Sequence, residues 1–266
     1  MCQLKSCLVL KDRVFCPNYD NHQSMLEELN IKDNYLHADK TFVRVEFMPP
    51  DGVKSLMESL DKWILKVDQD IVPEWWDEKF DRPRVEEAIK IWRREHVFVK
   101  GKHVIKNGKV YALGNAKVKI FGDTIIKAYD NAMVEVWEEA TAEAHGNATV
   151  TAYNNAKVHA YDRAVVESWN DTMVTAYNSA MVRAYGYAAI KAQDNVIVKA
   201  FNNVTVRAFG MVMIKAYDRA NIYAYDRAII EAHDNAIVKA HSFTTVVWPN
   251  LRKIVYPTGW TVETHK

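Results

Sequence analysis

The chain has 266 residues, enough for one large domain or two ordinary ones. Its 35 Lys and Arg balance 34 Asp and Glu, a formal net charge of +1, so any pull toward nucleic acid or membrane has to come from local patterning. A hydrophobic content of 49% suits a folded chain, and no apolar run reaches the roughly 18 residues that span a bilayer.

The N-terminus reads MCQLKSCLVLKDRVFC, with an apolar patch of only Leu8 to Leu10, too short for a secretory signal. Cys2, Cys7 and Cys16 cluster there and no other Cys occurs in the chain. An odd, clustered count points to reduced thiols and a cytoplasmic setting. With His22 they could be drawn as a zinc site, but the spacings fit no common pattern and free thiols are the preferred reading. No metal or cofactor is assigned to the chain.

Residues 8–15 (LVLKDRVF) read as a strand ended by Cys16-Pro17-Asn18. Ser24 with Glu27 three residues on makes a capping box that opens a short helix over residues 24–29. Residues 42–47 (FVRVEF) alternate as a strand does, and Met48 to Gly52 (MPPDG) is a turn. Helical spacing of apolar residues runs through VKSLMESLDKWIL, 53–65. VDQDIVPEWW then reads as the end of that helix running into a Pro-bearing turn. Its Asp68, Asp70 and Glu74, with Glu46, are also the best acidic cluster in the chain, and paired carboxylates of this kind would hold a divalent metal for hydrolysis. Solvated turn acids are the preferred reading. After Pro83, residues 84–96 form an amphipathic helix with Val85, Ala88, Ile89 and Trp92 on one face. Trp63, Trp75, Trp76 and Trp92 are expected in the core of this region or at its seam with the first repeats.

From Val104 the grammar changes. Eighteen consecutive octads fit between Val104 and Val247. Ala fills fourteen of the eighteen first positions and eleven of the fifth, and Val or Ile fills seventeen of the seventh. These slots alternate with variable residues, so they point to one side of an extended segment. Third and fourth positions are mostly Asp, Asn and Gly, which tolerate a left-handed corner. Each octad is therefore a strand and a corner, and one octad cannot bury its apolar side alone; stacked coils can. The predicted fold is mainly β, a β-solenoid (β-helix) of octapeptide repeats. Sixth positions separate into a more apolar and a more polar set when taken every 16 residues, which favours two-sided coils of 16 residues over three-sided coils of 24. Nine coils at about 4.8 Å would span roughly 43 Å. The expected organisation is a small mixed α/β N-terminal domain at 1–100, the solenoid at 101–248 and a C-terminal cap at 249–266. The strand KIVY, 253–256, either closes the last coil or exchanges between protomers.

Second positions are Phe, Tyr, Trp or His in fifteen of eighteen octads, rings that would stack in ladders along the corners. His145, His233 and His241 replace Tyr in that pattern and are read as ladder members, not ligands. A stacking platform for nucleic-acid bases is the alternative use of the rings.

Eighth positions carry the basic series Arg183, Lys191, Lys199, Arg207 and Lys215. With two-sided coils, Arg183, Lys199 and Lys215 share a face with Met181, Ile197, Met213 and Ile229. The solenoid does not need that apolar face to hold together, and exposed apolar area with adaptable Met marks an interface. These seven residues are the candidate partner-binding set. Either a partner or the N-terminal region folded back would cover them, and a homodimer is the most economical partner.

There is no Gly-rich phosphate loop, no His-Glu-x-x-His and no nucleophile elbow, and no catalytic residue is assigned. The order FVRVEFMPPDG, WILKVDQDIVPEWWD, a helix ending WRREHV and then octads resembles a group of uncharacterised proteins of phages and mobile elements in gut Firmicutes. The resemblance covers most of the chain, with VDQDIVPEWW its most specific part, and brings no catalytic residues. It implies a small cytosolic, phage-encoded accessory protein. By analogy it implies an inhibitor that sterically blocks a bacterial defence effector of the CRISPR type. The leading expectation is thus a non-enzymatic protein-binding protein. The rivals are a nucleic-acid-binding solenoid and a metal-dependent hydrolase.

Overall fold

The computed structural model describes residues 5–34, 39–241 and 243–249, and the backbone of 253–255. Cys2 lies outside them. The chain divides into two compact units, Met1–His96 and Val97–Lys266.

Among the described residues, the first unit is a four-stranded antiparallel sheet of order β2-β1-β3-β4 with two α-helices. LVLKDRVF is two strands, not one: β1 (Lys5–Leu10) and β2 (Val14–Phe15) form a hairpin closed by Leu10 N–H donating to the Arg13 carbonyl at 2.8 Å. Every residue of β1 is buried, so the charges of Lys11-Asp12-Arg13 have to leave the sheet. The first helix, α1 (His22–Glu28), starts earlier than its capping box suggested. Asn21 is the N-cap, its side chain accepting from Ser24 N–H at 2.9 Å. β3 (Phe42–Met48) forms as expected.

The helix expected over 53–65 does not exist. That stretch is two short 3-10 turns, Gly52–Ser55 and Leu60–Lys62, and then β4 (Ile64–Val67), which pairs with β3 and sets Lys66 against Glu46. The apolar spacing is used by turns that bury Leu56, Leu60 and Trp63, and the unfilled edge of β3 claims the rest. VDQD accordingly leaves a strand and not a helix. The last helix, α2 (Glu78–His96), begins ahead of Pro83 and buries Val85, Ile89 and Trp92.

The second unit is the solenoid, of about nine coils. Sheet I has eleven strands, from Lys102–Ile105 through Thr245–Trp248 to Lys253–Val255; sheet II has ten, from Val97–Phe98 to Ile237–Ala240. Strands recur every eight residues and alternate between the sheets, so parallel neighbours lie 16 residues apart, as in Met181↔Ile197↔Met213. Coils therefore have two sides. Ala, Val and Ile from both sheets form one continuous buried cluster, with Val150, Val182 and Val206 fully enclosed. Lys253–Val255 runs antiparallel to Thr245–Trp248 of its own chain and closes the sheet I edge; Tyr256 lies outside the described residues.

The octads do not all keep phase. Lys102–Ile105 pairs with Lys117–Ile120 at an offset of 15, so Ile105 takes the inward slot opposite Ile120 and Val104 points out, 61% exposed. The Lys106-Asn107-Gly108 corner is one residue short.

Corners explain the Asp and Asn residues further. Third positions adopt positive φ, for example Asp130 at 58°, Asn202 at 59° and Gly186 at 77°. Their side chains also reach back one coil: Asp162 accepts from Gly146 N–H at 3.0 Å, and Asp218 from Asn202 N–H at 2.8 Å. At these corners a coil satisfies a backbone donor of the coil before it.

Candidate functional site

Because strand residues alternate in direction, each sheet I strand presents two outward side chains. The parallel register stacks them into two ladders. One runs Met133, Thr149, Val165, Met181, Ile197, Met213 and Ile229. The other runs Lys119, Glu135, Thr151, Glu167, Arg183, Lys199, Lys215 and Glu231. All seven candidate residues fall here side by side. Met133, Met181, Met213 and Ile229 are 49%, 39%, 45% and 50% exposed, and Ile197 is half-buried. The other eighth-position bases, Lys191 and Arg207, stack on sheet II.

The charged ladder is mixed, not uniformly basic. Lys119 pairs with Glu135 at 2.7 Å and Lys215 with Glu231 at 2.6 Å. Lys215 and then His233 hold Glu231 below its ordinary pKa, and the same Glu raises that of Lys215. Arg183 and Lys199 make no ion pair among the described residues. A depression of about 550 Å³ lies at one end of the face, walled by Lys117, Lys119, Met133, Glu135, Thr149 and Thr151. Met133, Glu135 and Glu167 were absent from the candidate set, although the 16-residue register that joined the other seven reaches them too.

On sheet II Glu143 is flanked by Lys127 at 2.7 Å and His145 at 3.9 Å. The neighbouring His145 first, and then Lys127, lower its pKa to about 2 against the opposing cost of burial.

The corner rings stack on one another. Tyr129, His145 and Tyr161 lie 4.8 and 4.7 Å apart with nearly parallel planes; at the alternate corners Trp169, Tyr185, Phe201, Tyr217 and His233 form a second ladder at 4.2 to 4.9 Å. His241 stacks on Tyr225. Faces occupied by a neighbouring ring are closed to nucleic-acid bases, which removes the aromatic half of that rival reading within the ladders.

In the N-terminal unit the acids are dispersed among partners. Glu46 meets Lys66 at 3.6 Å and Asp68 meets His22 at 3.3 Å, while a depression of about 650 Å³ mixes Asp68 and Asp70 with Arg44 and Lys66. Among the described residues, no three His, Cys, Asp or Glu side chains come together in a metal-holding group. Cys7 and Cys16 face each other with sulfurs 2.7 Å apart, but His22 is turned to Asp68 and the Val45 carbonyl. No helix among the described residues is long and apolar enough to cross a membrane. Comparisons of the chain with protein-family models, with curated proteins and with solved structures find no match.

Proposed function

We propose that the protein is a non-enzymatic binding protein whose sheet I face recognises another protein. The observation that carries this reading is the paired ladder. An apolar row, unbroken from Val165 to Ile229, beside a charged row, both on a backbone fixed by ladder hydrogen bonds, is a surface the solenoid does not need for its own core. A rigid surface also loses little ordering entropy on binding. The finer reading, a phage-encoded protein acting in the host cytoplasm, rests on the resemblance of the N-terminal motifs. In it, the protein sterically blocks a CRISPR-type defence effector.

Two experiments separate the levels. A photoreactive amino acid in place of Ile197 should give a protein adduct in cells, and Met181→Asp with Met213→Asp should abolish it while leaving far-ultraviolet circular dichroism unchanged. An adduct with nucleic acid only, or none, contradicts the binding reading. For the finer reading, expression in a bacterium whose CRISPR-type effector restricts a phage should restore plaques, and the same double variant should not. Full restriction in the presence of the wild-type chain contradicts it. A nucleic-acid partner would instead show affinity falling steeply with salt.

A further inference from the structure

We infer that the sheet I face is self-complementary and closes on a second copy of this chain, the two solenoids antiparallel about a two-fold axis. The axis runs along the strand direction, midway between Val165–Ser168 and Met181–Ala184. The inference rests on the reading of this face as a protein-binding surface and names its occupant.

An axis along the strands leaves strand direction unchanged, so each ladder meets its own copy in reverse order. Ten strands of sheet I run from Lys102–Ile105 to Thr245–Trp248. With the axis at their centre, Glu167 meets Arg183 of the second copy. Glu135 meets Lys215, and Lys119 meets Glu231. Thr151 meets Lys199, and the end residues Val104 and Val247 meet each other. Three pairs are opposite in charge, each occurring twice, and none is alike. Because Lys119–Glu135 and Lys215–Glu231 are already ion pairs within one chain, each end of the face becomes a closed square of four alternating charges. Glu167 and Arg183, which sit on neighbouring strands, make a third square at the axis.

The apolar ladder agrees. Met133 meets Met213, Val165 meets Met181, and Thr149 meets Ile197. The depression beside Met133 receives the exposed Met213 and Ile229 of the other copy. At the ends, Lys117 faces Ile229 and Lys102 faces Thr245, where their amines reach solvent past the rim.

Other registers fail on charge. Shifting the axis by half a strand spacing one way sets Lys119 on Lys215 and Glu167 on itself; the other way sets Glu135 on Glu231 and Arg183 on itself. A parallel arrangement puts every charge on its own copy or on the apolar ladder. Like charges face to face suppress such registers. Ten strands about 4.8 Å apart and four residues of about 3.3 Å give roughly 600 Å² per copy, about 1,200 Å² in all. That is the lower edge of a specific interface, so the dimer should dissociate on dilution.

Light scattering on the full chain over a concentration series tests this. Wild type should pass from monomer to dimer. Arg183→Glu alone and Glu167→Arg alone each set like charges together twice at the axis and should stay monomeric, with circular dichroism unchanged. An equimolar mixture of these two variants should form a heterodimer, and the double swap should regain the homodimer. A wild type that is monomeric throughout, while the Ile197 photoadduct with another protein persists, overturns the dimer and leaves the binding face standing. Single variants that dimerise like wild type, or a mixture that fails to recombine, overturn the register.

Discussion

Ser168 sits in an inward slot that most coils fill with Ala, fully buried, and its hydroxyl has no hydrogen-bond partner among the described residues. Ser168→Ala should raise stability by about 1 kcal/mol, read from the denaturation midpoint, because it removes an unsatisfied buried group and restores the repeat. Gly186 presents the opposite case. At φ 77°, an added Cβ would lie 2.9 Å from Asn170 N and 3.0 Å from its Cα, so Gly186→Ala should cost about 1–3 kcal/mol by the same measurement. Glu143 sets an acid limb. Its folded pKa, about 2, lies below the ordinary carboxylate value. The stability it contributes is therefore whole above about pH 4.5 and is lost as pH falls from there toward 2. Glu143→Gln should flatten that stretch of the stability profile, and an unchanged profile would assign the acid limb to other groups. The left-handed corners were legible from Asp and Asn alone. Their second role, carrying a carboxylate back to the preceding coil, was not, because it depends on where the neighbouring coil lies.

Each strand of the solenoid is too short to hold a fold, and its stability comes from the similar strands above and below it. That is why the solenoid could be read from one chain: the same inward Ala and Val recur at a spacing that only stacking satisfies. The regular phase fails at Val104, where a shortened corner breaks the repeat and nothing in the local pattern marks it. The N-terminal unit lacks this redundancy. VKSLMESLDKWIL has helical spacing, yet the edge of β3 makes part of it a strand, a tertiary decision that no window of sequence displays. Ring ladders belong to this scale too. Tyr185 stacks between Trp169 at 4.2 Å and Phe201 at 4.9 Å, whereas Tyr187 stands 68% exposed. Tyr185→Ala should lower stability by about 1–3 kcal/mol through two lost stacks, and Tyr187→Ala should be near neutral. Equal effects would deny the ladder its structural role.

The solenoid resolves into two outer faces of different character. Sheet I joins an apolar ladder to a charge sequence that is its own complement when reversed; Lys191 and Arg207 stack on sheet II, where Glu143 is held between Lys127 and His145. The candidate residues were legible as a set because two-sided coils forced them onto one face. The complementarity of Glu135 and Glu167 belongs to the full ladder of sheet I and not to any one octad, so no local pattern displays it. Methionines give a direct readout of the claim that sheet I is the binding face. Met133, Met181 and Met213 lie on it; Met173 on sheet II and Met211 at a corner are about as exposed and serve as controls. Hydroxyl-radical footprinting of the chain across a concentration series, and again with any captured protein partner, should show Met133, Met181 and Met213 becoming protected while Met173 and Met211 oxidise as before. Equal oxidation of all five under every condition would contradict the account.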